Sequence, residues 1–419
     1  MIEDLQKYRY LQNLLPETSK KRLVLITGAR QTGKTTLARN VYPSLNYINL
    51  DAPENREMIR EIASSAWKRD VGIALIDEAQ KEPVVFEKIK YAFDAGDINF
   101  QVMLGSSQIQ LLKNVRESLA GRVSIYELWP LMMKEVITDA GEKFAQPPLF
   151  DQLFSSEPFQ QIFKKIPGVV FGEEYAIKKG AEEYLLEWGG MPALLNLTKE
   201  ERIKWLRDYE YTYLERDLVD LARLNDLIPF RKLQKLAALR SGALLNYSEL
   251  ARDAALSVQT VRNYLQYLTI SYQVVLLQPY YRNLTSSIVK SPKLYWLDIG
   301  LLRTLTGFWG NLNGSIYETL VVGEVVKWMR TTQKNAELFF YRTRSGLEVD
   351  MLLQTPSGFI GMEVKARNQV SATDITSLKK VANALGESWR GGLVIYRGDK
   401  IIDLGEANLW AVPSHRLFT

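Results

Sequence analysis

The chain of 419 residues contains no cysteine and a single histidine, His415. The first absence excludes disulfides, thiolate zinc sites and cysteine nucleophiles. The second excludes any chemistry that needs two histidines. No apolar run reaches membrane-spanning length, and no basic segment precedes a short apolar one as in a secretion signal. No membrane partner is expected, and a cytoplasmic location is the simplest expectation. What the chain does have is 46% hydrophobic and 24% charged residues, a globular composition, and length enough for two to four domains. The opening "MIEDLQKYRYLQNLL" reads as an amphipathic helix. The net charge of +5 is small, but its distribution is uneven. Arg231, Lys232, Lys235, Arg240, Arg252, Arg262, Arg282, Lys290 and Lys293 share a window with only Glu249 and Asp253, as a nucleic-acid footprint would.

"RLVLITGARQTGKTTLARNVY" is an apolar run, a glycine loop and a helical pattern. It fits G-x-x-x-x-G-K-[ST] from Gly28 to Thr35. Glycines let the backbone turn its N–H groups towards phosphate oxygens, and the next helix points its positive end at the anion. Gly28, Gln31, Thr32, Gly33, Lys34, Thr35 and Thr36 are the candidate ATP ligands. Lys34 is expected on the β- and γ-phosphates and the Thr35 hydroxyl on Mg²⁺. A second run, "VGIALIDEAQ", ends in Asp77 and Glu78. A strand buried on both faces exposes acids only at its C-terminal end, where α/β sheets bind ligands. Asp77 is the candidate Mg²⁺ holder and Glu78 the base that polarises the attacking water. A third run, "INFQVMLGSSQ", ends in Ser106 and Ser107. Each fits a γ-phosphate sensor or a helix N-cap equally, with Ser107 the stronger sensor candidate. In "NVRESLAGRVSIYELWPL", Arg122 is the candidate arginine finger towards a neighbouring subunit and Arg116 its competitor; a plain surface arginine fits either.

With "TGARQTGKTT", "LIDEAQ", "LGSSQ", "SLAGR", "ELWPL", "GGMPALL" and "YLERDL", the chain resembles AAA-type P-loop ATPases. The resemblance is closest to a bacterial and archaeal subgroup and covers almost the whole chain. It implies an ATPase joined to a C-terminal region resembling PD-(D/E)xK nucleases. It further implies assembly as a homo-oligomeric ring or partial ring, a hexamer being one candidate, with ATP between subunits.

Residues 131–225 read as a helical lid, with Arg216 a weak nucleotide candidate. From 229 the pattern changes to three helices, "IPFRKLQKLAALRSG", "NYSELARDAAL" with Ser248 as N-cap, and "SVQTVRNYLQYLTI" capped by Ser257. Two strand-like runs follow around a basic loop, which makes a winged helix. Gln259, Thr260, Arg262 and Asn263 are expected on the exposed side of the third helix, and Arg282 and Lys290 in the wing. Protein packing is the other use of such a module; the local charge favours DNA.

The late stretch "GLEVDMLLQTPSGFIGMEVKAR" reads as a hairpin. If Gln354 pairs with Phe359, Asp350 lies opposite Glu363 and Glu348 opposite Lys365, all four on one face. Leu347, Val349, Met351, Met362 and Val364 then take the other. Opposed acids destabilise a sheet. A divalent cation, Mg²⁺ or Mn²⁺, is the natural compensation. Asp350 followed by Glu363-Val364-Lys365 also matches the D…E-x-K core of PD-(D/E)xK nucleases. Glu324, or Glu318, supplies the helical acid of that pattern, and Lys365 orients water or stabilises developing charge.

The expected architecture is α/β: a P-loop ATPase core (1–130), helical lid (131–225), winged helix (226–300) and nuclease-like α/β domain (301–419). The expected function is a DNA-dependent ATPase with a metal-dependent, nuclease-like C-terminal domain that either cuts DNA or clamps it. Junction resolvases share such folds, which makes branched DNA a candidate by fold analogy alone. The alternative is a nucleotide-dependent signalling switch whose C-terminal domain binds a partner.

Overall fold

The computed structural model describes residues 7–105, 119–142, 146–214, 227–280, 291–343 and 346–419. Strands β1 (Arg22–Thr27), β2 (Asn46–Asn49), β3 (Ala74–Asp77), β4 (Phe100–Gly105) and β5 (Val123–Glu127) form a parallel sheet in the order β2-β3-β4-β1-β5. Alternate residues feed alternate faces. Leu23, Leu25, Ile76 and Met103 enter one core, and Val24, Ile26, Leu75, Val102 and Leu104 the other. Both faces are thus covered, which is why β1 and β4 are near-continuous apolar runs. The order places β4 between the strand that enters the glycine loop and the strand that ends in Asp77.

The N-terminal segment departs from the amphipathic helix expected of it. In the described part, only Tyr10–Asn13 is helical, as a single 3₁₀ turn. Arg9 is extended and 2% exposed, with its guanidinium under the glycine loop. A buried cation whose partners are distant in sequence fixes the chain in an extended path that helical periodicity alone does not foresee.

Helices Gly172–Trp188 and Lys199–Tyr209 follow, then Ile228–Ala238, Tyr247–Ala254 and Val258–Ile270. Ser257 caps the last of these through the Thr260 N–H at 3.0 Å. The cap of the middle helix is Asn246, which accepts from the Ser248 and Glu249 N–H groups, both at 3.1 Å. Ser248 is therefore inside the first turn rather than at the cap. Strands β6 (Ala243–Leu244), β7 (Val274–Pro279) and β8 (Lys293–Trp296) pair antiparallel in the order β6-β8-β7.

This small sheet does not end there. β7 pairs in parallel with β9 (Glu337–Arg342) at Gln278–Phe339 and Pro279–Phe340. Beyond it run β10 (Glu348–Thr355), β11 (Gly358–Lys365), β12 (Trp389–Tyr396), β13 (Ile402–Asp403) and β14 (Leu409–Pro413). The result is one nine-stranded sheet, β13-β14-β12-β11-β10-β9-β7-β8-β6. Helix Gly314–Thr331 covers one face, with Tyr317, Val321 and Val325 in a core that also holds Trp188, Leu265, Trp296, Met351 and Leu393. Helix Thr376–Leu385 covers the other with Leu378 and Val381. The helices Gly172–Trp188 and Lys199–Tyr209, the three-helix module and one face of the C-terminal strands thus share a single core.

β10 and β11 pair in the expected register, with Gln354 opposite Phe359 and Met351 opposite Met362. The alternation of side chains breaks further back. Val349 lies in the core with Leu352 and Leu378, whereas Met351, Met362 and Val364 lie in the opposite core. A bulge between Val349 and Leu352 in the β9–β10 pairing absorbs the extra residue. Leu347 and Val349 therefore do not share a face with Met351.

Candidate functional site

At the end of β1 the backbone turns through Gly28 (φ 151°), where a Cβ atom would lie 2.1 Å from the Leu128 carbonyl oxygen. Only glycine fits that approach. Gln31 (φ 62°) is exposed and Thr32 buried, and Gly33 (φ 89°) caps the helix Lys34–Val41. Lys34 donates from Nζ to the carbonyl oxygens of Gly28 at 3.0 Å and Ala29 at 2.7 Å, so its ammonium lies over its own loop. Thr35 and Thr36 are half-buried in the first turn. The Thr35 hydroxyl donates to Asp77 Oδ2 at 2.7 Å across the β1–β3 gap.

Asp77 is held from two further directions. Tyr47 donates to the same oxygen at 2.9 Å, and the Glu78 N–H donates to Oδ1 at 2.8 Å. Burial and the neighbouring Asp77 carboxylate raise the Tyr47 hydroxyl well above its ordinary pKa, so it stays a donor. Glu78 adopts φ 52°, a backbone state uncommon outside glycine, and the Gln80 amide donates to its carboxylate. The side chain proposed as base is thus oriented by a residue two positions on. A threonine hydroxyl beside a carboxylate is a hard oxygen set suited to Mg²⁺, and the loop has the close approach that a phosphate cradle needs. These residues fit an ATP–Mg²⁺ complex.

The loop is braced from behind by residues that motif reading does not single out. Arg9 donates to the Thr32 carbonyl at 2.7 Å and to the Trp129 carbonyl, and pairs with buried Glu135 at 3.3 Å. Tyr209, at the end of the helix Lys199–Tyr209, donates to the Arg30 carbonyl at 3.1 Å. Tyr272, just after the third helix of the three-helix module, donates to Thr27 Oγ1 at 3.2 Å and itself has φ 62°. The only advance signal for these tyrosines is their polar tip on an otherwise apolar body. Arg122 forms a two-point pair with Asp94 of its own chain, Nε–Oδ1 at 2.6 Å and Nη2–Oδ2 at 3.0 Å. Ser106, Ser107, Arg116, Arg216, Arg282 and Lys290 lie outside the described residues.

On the third helix, Gln259, Arg262 and Asn263 are exposed. Gln259 donates to Asn263 at 3.0 Å, and Arg262 stacks over the Tyr247 ring at 4.2 Å. Thr260 is half-buried in the cap turn, with its hydroxyl 2.8 Å from that of Ser257. The basic window is less available than its sequence suggests. Arg240 is engaged by Asp253 and by Glu249 at 3.4 Å. Lys293 is buried. Lys232, Lys235, Arg252 and Arg262 stay exposed.

In the C-terminal region the hairpin does bring Asp350 and Glu363 together. Burial, then the charge of Asp350, pushes Glu363 up to about 8, against the opposing pull of Lys365 at 2.8 Å. Asp350 Oδ2 also accepts the Val364 N–H at 2.8 Å, so the side chain continues the ladder where the backbone pairing stops. Glu348 and Lys365, expected as partners, are apart. Glu348 pairs with Lys293 at 2.6 Å and Arg342 at 3.0 Å, since the bulge turns it towards β9.

Glu324 is a clear correction. Its carboxylate is 2% exposed, accepts the Met133 N–H at 2.8 Å and faces Lys327 at 3.4 Å, towards the Met133 backbone rather than the hairpin. The helical acid near Asp350 is Glu318, whose pKa is raised by burial and then by Asp350. Among the described residues, no group of three or more acids and histidines is arranged to hold a metal. The cation in their midst is Lys293. Burial works against its charge, but Glu318, Asp350 and Glu348 together raise its pKa above the ordinary value.

Residues 20–137 match the family model described as "AAA domain". Residues 179–311 and 313–417 match two models, each described as a domain of unknown function (DUF8612 and DUF4143). An uncharacterised protein of Mycobacterium tuberculosis is 27% identical over 408 residues, 95% of this chain and 81% of the relative. An uncharacterised protein of Methanocaldococcus jannaschii is 25% identical over 317 residues, 69% of this chain and 63% of the relative. Among solved structures, the Walker-type ATPase of Pyrococcus abyssi aligns with 73% of this chain and 99% of its own, at 16% identity and TM-score 0.42. Together with the parallel sheet, the glycine loop and the Thr35–Asp77 pair, the family match makes residues 20–137 a P-loop domain of the AAA type.

Proposed function

We propose that this chain hydrolyses ATP and couples hydrolysis to binding or remodelling of DNA. The observation that carries the ATPase half is the Thr35 hydroxyl 2.7 Å from Asp77, at the head of a glycine loop and one residue before Glu78. The loop N–H groups and Lys34 bind the phosphates, and Thr35 and Asp77 hold Mg²⁺. Glu78, oriented by Gln80, takes the proton of the attacking water. Mg²⁺, when bound with ATP, neutralises charge on the phosphates and aligns them for in-line attack. Lys34 must leave the Gly28 and Ala29 carbonyls to reach a phosphate, an exchange of neutral acceptors for an anion that favours binding.

DNA is the proposed partner of a winged helix formed by the three helices and β6–β8. Exposed Gln259, Arg262 and Asn263 on the third helix support that reading, with Lys232, Lys235 and Arg252 as phosphate contacts. Assembly as a homo-oligomeric ring and a nuclease-like fold for the C-terminal strands complete it. In this reading the C-terminal strands bind DNA without cutting it, because their acids are paired with Lys293 and Lys365 and do not fit a metal ion in this arrangement. The test is ATP turnover with Mg²⁺, alone and with linear or branched DNA. Stimulation by DNA that Arg262→Ala weakens is expected. A rate indifferent to every DNA would sink the coupling, and turnover unaffected by Glu78→Gln would sink the catalytic assignment.

One contact favours a second reading, a nucleotide-dependent switch. Tyr272 ties the three-helix module to Thr27, next to the phosphate loop, so nucleotide state has a direct route into that module. ATP-dependent protection of residues 228–270 from hydrogen exchange, without any effect of DNA on turnover, would favour the switch.

A further inference from the structure

Lys293 sits beside Asp350 and Glu318, two of the acids to which the sequence pattern assigns a metal. It comes from β8, next to β7 in the sheet that also holds the hairpin, and its side chain is 4% exposed. Its Nζ lies 2.6 Å from Glu348, 3.3 Å from Glu318 and 3.7 Å from Asp350. The other donors complete the arrangement. Tyr295, two residues on, donates to Glu318 at 2.6 Å; Arg342 pairs with Glu348, Lys365 with Glu363, and the Val364 N–H with Asp350. Four carboxylates (Glu318, Glu348, Asp350, Glu363) thus meet three fixed cations (Lys293, Arg342, Lys365), and each already has a cation or donor against it.

We infer that Lys293 is the resident cation of this acid cluster, standing in place of a divalent metal and locking the β8 strand of the three-helix module to the β10–β11 hairpin. Three observations support this. The first is burial: a lysine ammonium is not taken out of water without compensation, and here three carboxylates compensate it. The second is geometry. A divalent ion shared by Asp350 and Glu318 would be within a few ångström of the ammonium, and like charges at that distance in a buried site exclude one another. The third is placement. Lys293 belongs to a strand that pairs with β6 and β7, and β7 pairs with β9 of the same sheet, so its backbone is anchored in the sheet that carries the hairpin. The cluster is therefore closed to divalent ions as long as the Lys293 ammonium stays among the carboxylates. The inference does not depend on the ATPase reading.

The test is Mn²⁺ binding followed by electron paramagnetic resonance, without nucleotide, on the full chain carrying Asp77→Ala to silence the ATPase metal site. In this background no Asp350-dependent Mn²⁺ binding is expected. Lys293→Met, which keeps the length and removes the charge, should gain one bound Mn²⁺ with an affinity at least roughly tenfold above background. That ion should be lost again in Lys293→Met/Asp350→Asn. Lys293→Arg should exclude Mn²⁺ as the parent does. Mn²⁺ should raise the unfolding temperature of Lys293→Met alone. A parent that binds Mn²⁺ and loses it on Asp350→Asn overturns the inference. So does a folded Lys293→Met that binds none. Should Lys293→Met fail to fold, comparing the parent with Asp350→Asn decides: Asp350-dependent binding overturns the inference, and its absence upholds it.

Discussion

His415 is the one imidazole in the chain. It is fully buried, neither ring nitrogen has a hydrogen-bond partner among the described residues, and it meets Tyr175 edge-on at 5.6 Å. Burial, helped by Lys179, Arg416 and Lys178 and opposed by Asp399, lowers its pKa to about 4 from the ordinary 6.5. The folded chain therefore keeps His415 neutral where the unfolded chain protonates it. Its contribution to stability is complete above pH 6.5 and is lost as pH falls towards 4, by up to about 3 kcal/mol. Chemical denaturation between pH 7 and pH 4.5 should show this slope, and His415→Phe should flatten it. A single histidine also gives a single imidazole NMR titration, which should show no midpoint above pH 5. At this scale the sequence reveals residues whose role depends on near neighbours. Lys34, Thr35, Asp77 and Glu78 sit within short motifs whose strand and helix context is itself readable. Glu318 and Glu324 are the opposite case. They share one helix, and six residues place them roughly 120° apart around it. Only the positions of β8 and of the Met133 backbone decide which one meets Asp350.

Elements were legible where local chemistry sets them. The Pro356-Ser357 turn gave the hairpin register, but nothing local announces the bulge that separates Val349 from Met351 and sends Glu348 to Arg342 and Lys293. Cap choice shows the same limit on a smaller scale. Asn246 and Ser248 are both cap formers, and the structure uses the first. Asn246→Ala should cost about 1 kcal/mol in denaturant unfolding and Ser248→Ala much less; equal losses would contradict the cap. The phosphate loop is an element held from outside itself. Arg9 joins it to buried Glu135, which also accepts the N–H groups of Tyr10 at 2.9 Å and Met132 at 3.1 Å. Arg9→Met leaves that carboxylate without its cation and should cost about 3–5 kcal/mol. Arg9→Met/Glu135→Gln should recover much of the stability. It should not recover nucleotide affinity, since the Thr32 carbonyl stays unbraced. Thermal unfolding and a nucleotide titration on both variants separate the two effects.

At the scale of the molecule, four modules are what composition and pattern suggest, because each segment carries its own helix or strand period. Packing groups them differently. The parallel sheet has its own core on each face, formed within residues 11–128. Most of the apolar residues from Trp129 to Phe418 share another, in which Phe230, Leu265 and Trp296 of the three-helix module touch the same cluster as Trp188, Val321 and Leu393; the helix Thr376–Leu385 and the facing sides of β10, β12 and β14 form a smaller one. Sequence periodicity reports which face of an element is apolar, not which neighbour it meets, so this merging was not readable in advance. It has a consequence for truncation. A chain ending at residue 300 keeps the parallel sheet's two cores but strips Trp296, Tyr295 and Leu294 of the helix Gly314–Thr331 and leaves β7 without β9. Limited proteolysis of that fragment should leave a protected piece of about the size of the N-terminal domain, with residues 131–300 digested. Its calorimetric trace should retain a transition that ATP and Mg²⁺ raise, because the residues proposed to bind them lie in the part whose cores are intact. A 1–300 fragment that resists protease throughout would show instead that the three-helix module folds by itself and meets the C-terminal strands only as a docked neighbour. In that case Lys293 would be a surface residue in the fragment, and its burial among Glu318, Glu348 and Asp350 would be a property of docking rather than of folding.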